Sequence, residues 1–251
     1  DLLPSYNTVA YREGQARLTA EGVMVNGERV KAGKIIIATG AAAAVPSISG
    51  IETVPYLTST TVLELEQLPK SLLIIGGGYI GCELGQMFAR AGVKVTIAMR
   101  SRLLPESEPE ITDALTGYFS EEGIVVRSGL SYGEIRQTPE GVALSVVTEG
   151  RLEKISAERV LITTGRQPNT RGHGFAESGI ELLANGGVKV DDRMRTSKLG
   201  VYAAGDVTGR DQFVYMAAYG ARIAAENALN GDSKRYDAAV MPAVVFTDPQ
   251  I

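Results

Sequence analysis

The chain has 251 residues, a net charge of −4, 44% hydrophobic residues and 29 glycines, but one cysteine, one histidine and no tryptophan. That length and apolar content suit one large or two modest globular domains with a proper core. Dispersed basic residues on a mildly acidic chain give no electrostatic footprint for nucleic acid, and one cysteine with one histidine can build neither a disulfide nor a metal cage.

The first elements in chain order are short alternating runs, Thr8 to Thr19 and Gly22 to Val30, which predict an antiparallel meander. An apolar run from Ile35 then leads into Ala38-Thr39-Gly40. This stretch, to about Val45, and the one from Leu72 to Cys82 are too short and too glycine-rich to span a bilayer.

Leu72 to Ile75 reads as a buried strand, and Gly76-Gly77-Gly78-Tyr79-Ile80-Gly81 follows it directly. This is a strand-turn-helix pattern for a dinucleotide: Gly76 permits the tight turn, Gly78 lets backbone N–H groups approach the pyrophosphate, and Gly81 lets helix and strand pack closely. Ile80, Leu84, Met87, Phe88 and Ala91 recur at the helical interval, with Gly92 as the C-terminal cap. The helix N-terminus would meet the negative charge. Cys82, on the same helix, reads as a small apolar residue beside the sheet rather than an activated thiol.

At the end of the next strand, Lys94 to Met99, an NAD-binding protein carries an acidic residue for the ribose hydroxyls. Here the chain reads Arg100-Ser101-Arg102. Guanidinium groups suit a 2′-phosphate through planar, bidentate hydrogen bonds, so this turn predicts NADPH over a merely solvated basic loop.

Ile135 to Thr148 and Arg151 to Ile155 predict a second meander. Its end, Glu153 to Gly165, aligns without gaps on Glu28 to Gly40, and both copies close in Thr-Gly. The chain therefore holds two related units. Only the second has a glycine fingerprint upstream, so the 251 residues are expected to be an internal piece of a longer protein with two nucleotide-binding halves. His173 reads as a surface loop residue. A short strand, Gly200 to Ala204, leads to Asp206, and a helix is predicted from about Gln212 to Asn230, before Gly231.

Four motifs stand in order along essentially the whole chain: Ala38-Thr39-Gly40, Gly76-x-Gly78-Tyr79-Ile80-Gly81-x-Glu83, Thr164-Gly165-Arg166-x-Pro168-Asn169-Thr170, and Val201-Tyr202-Ala203-Ala204-Gly205-Asp206. In these the chain resembles the flavin-dependent pyridine nucleotide-disulfide oxidoreductases. The resemblance implies an α/β fold of two Rossmann-like domains, each with a β-meander, the NAD(P) domain inserted in the FAD domain. It places a partial FAD domain at 1–58, the NADPH domain at 59–169, the returning FAD domain at 170–239 and the start of a C-terminal dimerisation domain at 240–251. It also implies FAD and NADPH as cofactors and a homodimer, and the single cysteine is compatible with a cytoplasmic location.

The same resemblance assigns roles. NADPH would be held by Gly76, Gly78, Tyr79, Ile80, Gly81, Glu83, Arg100, Ser101, Arg102 and Gly165. For FAD, Ala16 would line the adenine pocket and Thr39 and Gly40 would pass beside the cofactor. Asp206, otherwise a turn carboxylate, would accept hydrogen bonds from the ribityl chain. Gln212, Phe213 and Val214 would open a helix whose positive end faces the flavin. Tyr79 is either a packing aromatic or a ring that covers the flavin until nicotinamide arrives, and Glu83 matches a glutamate that pairs with a lysine near flavin N5. Tyr79 and Glu83 would support catalysis, while that lysine and the redox-active Cys-x4-Cys pair are expected outside the chain.

Tyr215, standing where dihydrolipoamide dehydrogenases typically carry histidine, Arg100-Ser101, and the ending Met241 to Gln250 resemble the Hg(II)-reducing branch of the family. That branch passes hydride from NADPH to flavin, electrons to a dithiol, and reduces thiolate-bound Hg(II) to Hg(0). Soft thiolates suit a soft metal. The same frame serves a dihydrolipoamide or glutathione-type reductase or a transhydrogenase. Read as a complete chain, it would be a noncatalytic NADPH-binding module.

Overall fold

The computed structural model describes residues 6–251. In chain order the first half forms β1 (Ala16–Thr19), β2 (Gly22–Val25), β3 (Glu28–Val30), β4 (Ile35–Ile37), β5 (Ala41–Ala43), β6 (Ser71–Ile75), α1 (Tyr79–Arg90), β7 (Lys94–Ala98) and α2 (Pro109–Glu121). The second half forms β8 (Val125–Arg127), β9 (Ser131–Thr138), β10 (Gly141–Thr148), β11 (Arg151–Ala157), β12 (Arg159–Ile162), β13 (Arg166–Pro168), β14 (Val201–Ala203) and α3 (Val214–Asn230). Among the described residues no helix is long and apolar enough to cross a membrane.

Two compact units share these elements, one running to Ala42 and resuming at Gln167–Met241, the other comprising Ala43–Arg166 with Pro242–Ile251. These contact borders differ from the expected functional borders at 58/59, 169/170 and 239/240, for identifiable reasons. Leu57 bonds into β12 through Val160 and Ile162, and Ser49 accepts from Ile135 on β9, which ties residues 43–58 to the second unit. The last ten residues lie along α1, where Gln86 and the backbone of Asp248 exchange two hydrogen bonds.

The second unit is built on a parallel sheet ordered β12-β6-β7-β8. The chain moves from β6 through α1 to β7 and through α2 to β8, then returns through the β9-β10-β11 meander to the far side of β6. That reversal makes the carboxyl edge between β6 and β12 the switch point, where open α/β sheets bind ligands. The continuous run Leu72, Leu73, Ile74, Ile75 is fully buried because β6 is covered on both faces. Leu72 and Ile74 pack with Phe88, Ile97, Leu115 and Phe119 on the helical side. Leu73 and Ile75 pack with Ile135, Leu144 and Val146 from the meander.

On α1 the buried residues are Gly81, Cys82, Gly85, Gln86 and Phe88, Leu84 packs against the same core in part, and Met87, one of the residues that set the helical interval, is exposed. Small residues face the sheet because the approach is close: a Cβ on Gly85 would stand 2.9 Å from Ile97 Cδ1. The meanders, read as two runs each, have three strands each. The first begins at Ala16 rather than Thr8, and Asn26-Gly27 splits Gly22 to Val30 into two strands. Both residues of that turn have positive φ, 49° and 86°, as a type I′ hairpin requires.

In the first unit β14 pairs in parallel with β4, Val201 opposite Ile35. Leu18, Ile37, Phe175, Val188 and Val201 form one apolar cluster, and α3 contributes Met216, Ile223 and Ala224 to another. The internal echo is visible in both units, since each meander runs into a parallel strand that closes in Thr-Gly.

Candidate functional site

In the second unit the phosphate-loop residues lie at the carboxyl ends of β6, β7 and β12. Gly76 leaves β6 at φ 118°, a value L side chains rarely adopt, and its N–H donates to Ala98 O at 2.9 Å. The three fingerprint glycines differ in surroundings. A Cβ on Gly81 would collide with the carbonyl of Gly76 and stand 2.9 Å from Thr163 Oγ1, whereas a Cβ on Gly78 would meet nothing within 4 Å. Gly81 is thus closed against protein, and Gly78 opens to space that a pyrophosphate can enter.

Gly78 caps α1 without a side-chain hydrogen bond, and the first turn holds no acidic residue. The first-turn amides of Tyr79, Ile80 and Gly81 therefore keep an unneutralised positive end toward that space. Gly165, beyond β12, also borders open space, and its carbonyl accepts from Ala44 N at 2.9 Å. Glu83 lies one turn further along, and its Oε1 accepts the Phe246 N–H at 2.9 Å.

The basic turn after β7 separates into two roles. Arg102 is engaged within its own loop, donating to Thr112 Oγ1 at 2.8 Å, Ser107 O at 2.6 Å and Pro105 O at 3.3 Å. Arg100 is exposed and lies over the Tyr132 ring, its guanidinium carbon 5.3 Å from the ring centroid. Ser101 is exposed beside it, its carbonyl accepting from Gly129 N at 3.0 Å. Tyr132 donates its hydroxyl to Ala98 O at 3.0 Å, and burial pushes its pKa up to about 12. Cys82 is fully buried as a packed residue, its Sγ–H donating to Gly77 O at 3.6 Å, and burial, helped by Glu83, pushes the thiol up to about 12.

In the first unit, Thr39 and Gly40 follow β4 and Asp206 follows β14, so all three leave one edge of a parallel pair. Thr39 Oγ1 donates to Asn169 O at 2.7 Å, and Asn169 returns a bond to Thr39 O at 2.9 Å. A cavity of about 470 Å³ opens here, lined by Thr39, Gln167, Pro168, Asn169, Arg171 and His173. Gln212 and Phe213 lead into α3, and Val214 is exposed at its first position. Ala16 is exposed on β1.

His173 is a partly exposed loop residue, as read from the sequence, that also stacks on Phe175 at 5.3 Å and places Nδ1 3.2 Å from Ala16 O. Gln167, Arg171 and Tyr132 were missed as site residues, because no local spacing links them to the motifs they accompany. Thr163 had no such signal either, since the repeated Thr-Gly ending is Thr164-Gly165 and Thr163 aligns with Ala38 of the first unit.

A family model for pyridine nucleotide-disulphide oxidoreductases matches residues 2–225. The chain belongs to that family. The chain is 41% identical to a mercuric reductase of Lysinibacillus sphaericus over 252 residues, covering all of this chain and 46% of the relative. It is 41% identical to another of Bacillus cereus, covering 95% and 38%. Among solved structures, the HOCl-induced flavoprotein disulfide reductase RclA of Escherichia coli matches with a TM-score of 0.88 at 33% identity, covering 99% of this chain and 57% of that one. LpdA of Mycobacterium tuberculosis matches with a TM-score of 0.76 at 30% identity, over 86% and 47%. The chain thus spans about half the length or less of the curated relatives it matches. Its α/β fold with Rossmann-type domains is that of the flavoprotein disulfide reductases, and FAD and NADPH are the cofactors of the family.

Proposed function

We propose that this chain is the nucleotide-binding core of an NADPH-dependent flavoprotein that reduces thiolate-bound Hg(II) to Hg(0). The observation that carries the nucleotide site is the contrast between Gly81, closed against Gly76 and Thr163, and Gly78, open at the uncapped start of α1. The similarity to mercuric reductases supports the substrate.

In this reading residues 59–169 hold NADPH, residues 1–58 and 170–239 hold FAD, and residues 240–251 begin a dimerisation domain of a cytoplasmic homodimer. The amides of Gly78 to Gly81 bind the pyrophosphate, Arg100 and Ser101 select the 2′-phosphate, and Gly165 borders the nucleotide. Tyr79 and Glu83 orient the nicotinamide end. The cavity beside Thr39 and Asn169 fits part of FAD, with Ala16 at the adenine and Gly40, Asp206, Gln212, Phe213 and Val214 along the remainder. FAD, when bound, supplies the two-electron chemistry. Cys82 takes no part in thiol exchange, since it is buried and its pKa lies far above neutrality. The dithiol the reaction requires is proposed to lie outside these residues.

The test is the full-length protein with its flavin, given NADPH and Hg(II) as a thiol complex. Mercury leaving as vapour in proportion to NADPH consumed supports the proposal. NADPH oxidation supported by a disulfide and not by Hg(II) would favour the second reading, a disulfide reductase, to which the likeness to RclA points.

A further inference from the structure

Three arginines surround the carboxyl end of β7, and two are engaged elsewhere. Arg102 bonds Pro105, Ser107 and Thr112, and Arg127 pairs with Glu153 Oε2 at 2.5 Å. Among the described residues Arg100 has no hydrogen-bond or ion-pair partner, and its contact is the face of Tyr132. That ring is itself fixed. Its body packs against the cluster of Leu73, Ile75 and Ala98, and its hydroxyl ties it to Ala98 O, the last residue of β7. A guanidinium held over an aromatic face by cation–π attraction spends none of its N–H groups on that contact, which leaves them for bidentate bonding to a phosphate.

We propose that Tyr132 is a positioning residue which holds Arg100 ready for the 2′-phosphate and so sets the preference for NADPH over NADH. The inference rests on the reading of Arg100 as the phosphate contact. An arginine in free rotation loses side-chain entropy on closing over a phosphate, and the ring removes part of that loss before the ligand arrives. Only the 2′-phosphorylated nucleotide gains from this, because NADH has nothing for Arg100 to grip.

The experiment uses full-length protein with its flavin and measures calorimetric affinities for 2′-phospho-ADP-ribose and ADP-ribose, which carry no redox chemistry. Tyr132→Leu should weaken the phosphorylated ligand about threefold and leave ADP-ribose unchanged. Tyr132→Phe, which keeps the ring and loses the hydroxyl, should retain the native ratio, and Tyr132→Met replaces the leucine variant if that does not fold. Equal weakening of both ligands would show a merely structural tyrosine and overturn the proposal. An unchanged ratio in the leucine variant, with a lowered ratio in Arg100→Ala, would overturn the role of Tyr132 and leave Arg100 as the contact. An unchanged ratio in Arg100→Ala would overturn both.

Discussion

The hydroxyl of Thr163, the first residue past β12, donates to the carbonyl of Gly76, the first residue past β6, at 2.9 Å. It also lies within 3.2 Å of Ile75 O, while its own N–H donates to Ile75 O at 2.9 Å. One side chain therefore joins the two strands that flank the switch point and holds the Gly76 carbonyl beneath Gly81. Thr163→Val keeps the shape and the N–H bond but leaves the Gly76 carbonyl short of a donor. We expect a stability loss of about 1–2 kcal/mol by denaturant unfolding, together with weaker binding of both NADPH and NADH. Unchanged affinity for both would show that the loop does not depend on this bond.

Gly78 and Gly81 should fail in opposite ways. Gly78 has φ −81° and open surroundings, so Gly78→Ala should fold with stability within about 0.5 kcal/mol of the native protein. Its methyl group would occupy the space assigned to the pyrophosphate, and nucleotide affinity should drop at least about tenfold, a loss of about 1.4 kcal/mol. Gly81→Ala drives a methyl into the Gly76 carbonyl and should lower the melting temperature first. Full nucleotide affinity in a stable Gly78→Ala protein would place the pyrophosphate elsewhere.

Arg102 and Arg100 adjoin Ser101 but should behave differently on substitution. Removing the Arg102 side chain leaves three acceptors in the turn before α2 without their donor. Arg102→Ala should cost about 1–2 kcal/mol of stability and leave the NADPH-to-NADH affinity ratio near native. A collapse of that ratio at native stability would return Arg102 to the phosphate site.

How much of this was legible depended on whether the signal was local. The fingerprint loop, the course of α3 to Gly231 and the echo ending in Thr-Gly all lie in contiguous residues whose types carry the physics. On α1 the close packing of Gly81 and Cys82 was legible from their small size, whereas the exposure of Met87 was not, because apolar periodicity marks a stripe wider than the part that meets the sheet. The partition of labour between Arg100 and Arg102 was invisible, since it is decided by Thr112 on the next helix and Tyr132 on β9. His173 was legible as a loop residue, but its partner Ala16 was not, because that contact is set by tertiary packing.

On the far side of α1, Glu122 accepts from Arg90 Nη2 at 2.7 Å, from Arg90 Nε at 2.9 Å and from Gln86 Nε2 at 2.8 Å. The Arg90 hydrogen bonds hold its carboxyl below the usual 4.5. A carboxylate depressed in the folded state contributes stability that is present above its unfolded pKa and lost as pH falls through the folded value. Unfolding free energy should therefore decline below about pH 4.5 partly through this group. Glu122→Gln should flatten that decline relative to the native protein, and parallel pH profiles for the two would remove Glu122 from the account.

Cys82 and Tyr132 act at the other end of the scale. Burial raises Cys82 from 9.0 to about 12 and Tyr132 from 10.0 to about 12. A neutral acid whose folded pKa is raised contributes stability fully present below its unfolded pKa, and that contribution is lost as pH climbs to the folded value. The protein should weaken from about pH 9 upward, and Cys82→Ala should remove part of the slope after paying a constant packing cost. At neutral pH the thiolate is negligible and the sulfur is enclosed, so iodoacetamide should label Cys82 only as fast as the second unit opens. The measurement is labelling rate against denaturant concentration. A rate that rises in step with unfolding fits a packed, inert thiol, whereas rapid stoichiometric labelling of the native protein would make Cys82 accessible and reopen a place for it in thiol chemistry.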